Sequence, residues 1–413
     1  MSWQFATAGR IVFGRGTISQ IAAYAQQHRI VRPLIVTDAT LVELGLVSPV
    51  VASLQRGGCD VRVFDQCQPE PPFQCAVVGN EIAMDHACDG IVALGGGSNI
   101  DVAKMMAVLA RHGGKPQDYF GFDQVPGPVL PLIACPTTAG TGSEVSNSSV
   151  LTDHTAGTKV SSLSHYLRPA VAIVDPDLTD SCPATVAAHS GIDALVHAIE
   201  AVTARSSDEL PSESLLSRPY EGAYSLTQML GLRAIALIGR SLVAAVQDRS
   251  RHDARDDMAL AATLAGMAFS NSGVALVHAL EYPIGVLTHC SHGEGNGLLL
   301  PHVMRYNLES RRIEFAAIGR ALSGDAFRSR LNGPQGIIEE SESAVDELAN
   351  ESIAQVERLQ QVLGIRTKLS QLGLERSLLP SIAQKAFAIK RLMETNPRRP
   401  SESELLQLLE STY

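Results

Sequence analysis

The sequence predicts two domains of different class: an α/β domain with a mostly parallel sheet over residues 1–183, then an all-α domain over 184–413. Three observations carry this. Up to about residue 180, short β-branched runs alternate with amphipathic stretches, the pattern of βα units. After Pro183, strand signals nearly vanish and helical periodicity takes over. At 413 residues the chain is long enough for two hydrophobic cores.

Composition excludes several function classes. Apolar residues make up 45% and charged residues 18%, ordinary for a globular protein. The formal charge is −10 with no basic cluster beyond runs such as Arg398-Arg399, which argues against nucleic acid as a partner. The seven cysteines show no CxxC spacing and are odd in number, so reduced thiols in the cytoplasm are expected rather than a disulfide framework. The N-terminus MSWQFATAGR lacks a basic region followed by an apolar one, and no uninterrupted apolar run reaches the roughly 18 residues of a membrane span. Neither a leader nor a membrane partner is expected.

In chain order, GRIVFGRGTISQIAA (9–23) reads as a short strand, a Gly-x-Gly turn and a helix. A second strand, Pro33–Thr37, ends at Asp38. An amphipathic helix near 45–57 and a third strand, 60–64, follow. Gln68–Pro72 is a loop, because its prolines fix φ and lack N–H donors. A helix from about 74 to 87 leads to the buried strand 90–94, then Gly95-Gly96-Gly97-Ser98 and a helix beginning near Asp101. Residues 129–134 form another apolar strand, although Pro131 argues against a central position. It runs through Cys135 into PTTAGTGSE (136–144). Residues 150–152 and 170–174 read as further strands. Beyond Pro183, helices are expected near 184–204, 222–247, 253–282, 294–307, 310–322, 340–362, 366–372, 377–389 and 402–410. Loops are expected at 205–221 and 323–338.

Two glycine stretches compete as phosphate loops. Gly14-Arg15-Gly16 follows a strand, with Asp38 about twenty residues on, loosely like a dinucleotide fingerprint. Ser19 stands where the third glycine belongs, and a tight turn explains the stretch equally. Gly95–Ser98 is the stronger candidate. It joins a buried strand to a helix, and helix N-termini offer amide donors and a positive dipole end to phosphate. PTTAGTGSE adds the hydroxyls of Thr137, Thr138, Thr141 and Ser143 at the next strand end. Two polar loops at successive carboxyl ends of strands form a nucleotide crevice, which makes the first domain a dinucleotide-binding domain. Asp38, at the end of the second strand, suits a ribose 2′-OH and repels a 2′-phosphate, favouring NAD over NADP; otherwise it is a helix cap.

The helical half carries a metal signature. In Gly191–Glu200 (GIDALVHAIE), Asp193 and His197 are four residues apart, which stacks them on one helix face. A carboxylate and an imidazole so placed can share one metal ion. His278 lies on an apolar stretch that Pro283 is expected to end or kink. His292 sits in THCSHG, where Gly293 and Gly295 suggest a tight approach, and His289 competes with it as a ligand. Among twelve histidines, spacing supports only the Asp193/His197 pair.

The motifs FGRG (13–16), VTDATL (36–41), ALGGGSNIDVAK (93–104), PTTAGTGSEVS (136–146), VDPDLT (174–179), GIDALVHAIEA (191–201) and VHALEYPIG…HCSHGEGNGLLLPHVM (277–304) resemble, in order and spacing, the iron-containing (group III) alcohol dehydrogenase family. The C-terminal ETNPRRPSESELLQLLESTY is similar to the family's ending. The resemblance implies a dehydroquinate synthase-like architecture with a divalent metal in the cleft between the domains, and a homodimer. It implies Asp193, His197, His278 and His292 as metal ligands, with His289 outside the set. It implies cofactor contacts at Asp38, Gly96, Gly97, Ser98, Thr137, Thr138, Thr141, Ser143 and Lys159. The implied reaction is hydride exchange between NAD and a small alcohol or carbonyl compound, the metal lowering the alcohol's pKa. Fe2+ is preferred to Zn2+, because four protein ligands leave an open position only in an expanded coordination sphere.

Two departures from the family pattern stand out. Many members carry a second histidine one turn after the ligand at 278; here it is Tyr282, expected to relay the alcohol proton or contact substrate. Many have Pro-His-Gly at the last ligand; here it is Ser291-His292-Gly293. Tyr282 and the loop before Tyr220 look more like the hydroxyacid-oxoacid transhydrogenase branch, which retains its cofactor. A metal-dependent lyase or cyclase on a similar fold is the other alternative.

Overall fold

Strands apolar on both faces must be covered on both faces. The computed structural model accordingly sets six of them in one parallel sheet. The structure describes residues 2–210, 218–323 and 341–413. Residues 211–217 of the predicted loop 205–221, and 324–338 of the loop 323–338, lie outside that set.

The chain divides into two compact units, residues 6–183 and residues 184–413 with 2–5. In the first, β1 (Ile11–Phe13), β2 (Pro33–Val36), β3 (Arg62–Phe64), β4 (Gly90–Gly95), β6 (Leu132–Pro136) and β9 (Val171–Val174) form the sheet in the order β1-β9-β6-β4-β2-β3. Every residue of β2, β4 and β6 is buried. Helices α1 (Ile21–Gln27), α2 (Ala39–Glu43), α3 (Val47–Arg56), α4 (Phe73–Asp85) and α5 (Gly97–His112) accompany the strands. One core packs Leu34, Phe64 and Ile91 with Met105 and Met106 of α5; the other packs Ile21 and Leu54 with Ile35, Leu94 and Ile173. Fully burying one such aliphatic side chain contributes about 1.5–3 kcal/mol.

The sequence reading needs three corrections in this unit. Pro131 does not keep its strand from the sheet centre. β6 starts one residue later, so the proline's missing N–H is not asked of the ladder, and its carbonyl accepts from Ile91. Helix α5 begins at Gly97, not near Asp101. The expected strand near 150 is half of a hairpin, β7 (Ser148–Asp153) with β8 (Thr158–Leu163), and β8 pairs in parallel with the two-residue β5 (Gly121–Phe122).

Lys104 fastens that hairpin to α5. Its ammonium, fully buried, donates to Ser143 Oγ at 3.0 Å, Ser146 O at 3.1 Å and Ser148 O at 2.7 Å. Burial pulls its pKa down to about 8 although Asp101 opposes the shift, so it stays protonated at neutral pH. Lys104→Met keeps the stem and strands two buried carbonyls without donors. The expected loss of unfolding free energy in urea is about 2–4 kcal/mol, from roughly 1–3 kcal/mol per unsatisfied buried acceptor. A change below about 0.5 kcal/mol, the range of a neutral surface substitution, would show that Lys104 fastens nothing.

The second unit is helical: α6 (Ala184–Thr203), α7 (Ser225–Gln247), α8 (His252–Ser272), α9 (Leu276–Thr288), α10 (His292–Asn307), α11 (Arg312–Leu322), α12 (Glu342–Leu363), α13 (Leu379–Ala388), α14 (Lys390–Thr395) and α15 (Glu402–Thr412). Residues 2–5 belong to it: Trp3 stacks on Tyr224 at 4.4 Å, and the Tyr224 hydroxyl donates to Gln4 O. The predicted helix at 366–372 is only the 3-10 turn Leu369–Leu372. Helix α7 is long and apolar enough, by length and composition, to cross a membrane, but it packs against α6, α8 and α11 as a core helix does.

The largest departure concerns residues 253–282, expected as one helix. Two helices stand there, bent by 105°. The break falls at Gly273, whose φ of +99° lies in the region that only glycine enters without strain. Pro283 neither ends nor breaks the second helix, which runs on to Thr288. A buried carboxylate fixes the new start. Glu200 accepts from the Ala275 and Val277 amides at 2.8 and 2.7 Å, satisfying donors that a helix start leaves open.

Candidate functional site

The α6 face that carries Asp193 and His197 is wholly buried: 2% and 5% of these residues remains exposed. An acid and two imidazoles withdrawn from water need a shared purpose. Donor atoms of Asp193, His197 and His278 lie within 4.8 Å of one another, the spacing of ligands around one cation. The His197 and His278 rings stack at 4.8 Å between centroids. His292, at the first position of α10, brings Nε2 to 3.9 Å from Asp193 Oδ1. His289, its competitor, is exposed at the left-handed C-cap of α9. Gly293 permits the approach of α10 to α6: a Cβ there would sit 2.0 Å from His189 O.

The outer ring nitrogens of His278 and His292 are held. His278 Nδ1 pairs with Glu200 Oε2 at 2.7 Å and His292 Nδ1 with Glu281 Oε2 at 2.5 Å, both carboxylates buried. A carboxylate on Nδ1 fixes the tautomer that leaves the Nε2 lone pair facing inward and makes it a better ligand. The convergence is visible in Asn296. Its Nδ2 lies 2.8 Å from Asp193 Oδ1, 3.3 Å from His278 Nε2 and 3.1 Å from His292 Nε2, while its Oδ1 is buried without a hydrogen-bond partner. Three acceptors turned on one partly positive group are the donor set a divalent metal requires, so these residues fit such an ion. Burial pushes the Asp193 carboxyl up, but the imidazoles of His197, His292 and His278 and the Asn296 amide outweigh it and hold it at about 2. It is therefore ionised at neutral pH.

Tyr282, one turn on from His278, is buried, its ring centroid 6.4 Å from that of His278 and 6.1 Å from that of His292. Sequence reasoning missed Glu200, Glu281 and Asn296. Glu200 is seven residues after Asp193, on the same face, and Asn296 repeats the four-residue step after His292; those spacings were the available signal.

The two glycine loops of the first unit differ in what they already hold. Gly14–Gly16 already holds anions of its own chain: Gly16 N donates to Asp175 and Asp177, Ile18 N to Asp175, and Arg15 pairs with Asp177 and Asp180. Gly96, Gly97 and Ser98 are partly exposed, at a helix N-terminus with no side-chain cap. Thr138 and Thr141 lie against Gly96 and Gly97, because β4 and β6 are neighbours and both loops leave the same sheet end.

Of its two expected roles, Asp38 takes that of helix cap, and it also reaches the glycine loop. Its Oδ1 caps α2 at Leu41 N, and its Oδ2 accepts from Asn99 in the first turn of α5, which ties it to the glycine loop. Thr137 and Ser143 are buried, and Ser143 donates to Asp101 at 2.5 Å while accepting from Lys104. Lys159 stands on β8 and pairs with Glu70 at 3.1 Å.

Two family models match this chain: the iron-containing alcohol dehydrogenase model over residues 8–176, and the C-terminal model of the Fe-containing alcohol dehydrogenase family over 219–413. The chain is 38% identical to long-chain-alcohol dehydrogenase 1 of Geobacillus thermodenitrificans, over 98% of this chain and 97% of the relative. It is 32% identical to the NAD-dependent methanol dehydrogenase of Bacillus methanolicus, over 97% of each. A crystal structure of 1,3-propanediol oxidoreductase superposes with a TM-score of 0.89 at 32% identity, covering all of both chains.

Proposed function

The chain belongs to the iron-containing alcohol dehydrogenase family, and from that premise we infer its activity: it is an NAD-linked, metal-dependent oxidoreductase exchanging hydride between the nicotinamide and a small alcohol or its aldehyde. The observation that carries this is the buried convergence of Asp193, His197 and His278. With His292 they would hold the metal. When bound, a divalent metal supplies Lewis acidity to an alcohol or carbonyl oxygen, and the nicotinamide supplies the redox chemistry. The chain's own residues set the conditions. Glu200 and Glu281 hold two imidazoles aimed with Nε2 inward, Asp193 supplies negative charge, and burial keeps bulk water from competing. Gly96, Gly97, Ser98, Thr138 and Thr141 would line the pyrophosphate, and Asp38 would face the ribose. Ser143 and Lys104 would shape this loop from beneath. Tyr282 contacts the substrate in this reading.

A cytoplasmic homodimer is part of the same proposal; seven cysteines without a disulfide support the reducing compartment.

The test is metal analysis of the purified protein followed by NADH absorbance with a panel of alcohols and aldehydes. Bound iron, NADH oxidation by small aldehydes, loss of turnover with chelator and recovery with Fe2+ are expected. Full turnover in metal-free protein would sink the reading. Substrate consumption without net NADH change would favour a lyase. Turnover without added NAD, driven by an oxoacid, would favour the transhydrogenase.

A further inference from the structure

We propose that Arg391 is an anion anchor next to the metal centre, and that the substrate is a short alcohol or aldehyde carrying a carboxylate at its far end. This rests on the oxidoreductase reading above and narrows it.

Arg391 stands on α14 with its guanidinium inside the helical unit. Its side chain hydrogen-bonds Tyr220 and Tyr282. Its Nε is buried with no hydrogen-bond partner. No carboxylate pairs with it among the described residues; the two tyrosines are its only polar side-chain partners there. Tyrosine, with an ordinary pKa near 10, is neutral at physiological pH and cannot cancel the charge. A guanidinium cannot escape by losing its proton. A buried cation without an anion is strongly unfavourable, and it persists where an anion arrives with the ligand.

The position fits a substrate group. Tyr282 links the cation to the metal centre: its hydroxyl meets Arg391, and its ring packs against His278 and His292. Tyr282 is four residues beyond His278, roughly 6 Å along the axis, a separation that a chain of a few carbons spans. The Nε of Arg391 is buried while the residue as a whole keeps some exposure. The planar fork of a guanidinium matches a carboxylate in bidentate geometry. The carboxylate takes no part in the redox step. The carbonyl carbon accepts hydride from NADH, its oxygen takes a proton, and the products are the hydroxyacid and NAD.

The test compares glyoxylate, malonate semialdehyde and succinate semialdehyde with uncharged aldehydes of equal length, on metal-loaded wild type, Arg391→Leu and Arg391→Lys. Wild type is expected to favour one of the acids in kcat/KM. Arg391→Leu should lower the acid-to-neutral ratio about 30–4,000-fold, the range for stranding one partner of a buried charge pair, and Arg391→Lys should restore part of it. A wild type that prefers neutral aldehydes, or a leucine variant that loses both equally, would overturn the proposal. Binding supplies an arm that needs neither turnover nor a variant that folds: butyrate, but not butanol, should raise the thermal midpoint of wild type. No rise would count against the anchor. If no carbonyl oxidises NADH, the oxidoreductase reading fails, and butyrate binding still decides Arg391.

Discussion

His278→Ala is expected to yield a folded protein that retains no metal after dialysis and shows no NAD-linked turnover. The argument is geometric. Donor atoms of Asp193, His197 and His278 all lie within 4.8 Å of one another, and the His278 ring faces both His197 and His292. Removing it leaves a carboxylate and one stacked imidazole on α6, with His292 across from them. Loss of a partner that merely orients a ligand costs about 10–100-fold in metal affinity; loss of the ligand itself removes a metal bond and must cost more. The fold should survive, because Glu200 keeps its two backbone donors on α9. Metal content by mass spectrometry and NADH absorbance check the outcome, with circular dichroism as the folding control. Stoichiometric iron and normal turnover in the variant would show that the cluster is not the metal site.

Glu200→Gln should injure both stability and metal binding, because one carboxylate serves both. Its two oxygens accept from Ala275 N, Val277 N and the Nδ1 of His278. Glutamine offers one oxygen and turns an NH2 toward the remaining donors. Two N–H groups then face each other in a buried pocket, and the charge that strengthened each bond is gone. The expected cost is about 2–4 kcal/mol of unfolding free energy, at roughly 1.5–3 kcal/mol for each hydrogen bond to a charged group. His278 is freed to rotate or change tautomer, so metal affinity should fall about 10–100-fold. Denaturant unfolding and competition with a metal chelator measure the two effects separately. Lower stability with unchanged affinity would reduce Glu200 to a helix cap.

Much of this architecture is legible in the sequence because it depends on short-range patterns. Buried parallel strands are continuous apolar runs, and the carboxyl ends of β4 and β6 announce themselves with glycine and hydroxyl residues. The four-residue step of Asp193 and His197 likewise follows from one helix. What was not legible depends on pairing between distant segments. The carboxylates behind the histidines are 78 and 11 residues from their partners, and glutamate in a helix is ordinarily a solvent-facing residue. The anions that fill the Gly14–Gly16 loop come from Asp175 and Asp177, so no local feature could tell that loop from an open one. The bend at Gly273 was signalled by Ser270-Asn271-Ser272-Gly273, a short run of turn residues between apolar stretches. Proline looked the stronger breaker, yet the position of Glu200 decides where α9 begins. Nothing in the local sequence singles out Arg391, and only the family resemblance marked Lys159.

The bend at Gly273 also limits how this chain can change over evolution. Three residues separate Ser272, the last of α8, from Leu276, the first of α9. Glu200 fixes the start of α9 at Ala275 and Val277, so one residue inserted or deleted between that start and His278 would turn the following part of the helix by about 100° around its axis, since a helix repeats every 3.6 residues. His278 would swing out of the ligand cluster, and Tyr282 would go with it. Substitutions can accumulate along these helices, but the stretch from Ala275 to His278 cannot change its length while the site survives. In descendants of this chain, insertions should collect elsewhere, and the count of residues from Glu200's backbone contacts to His278 should stay fixed.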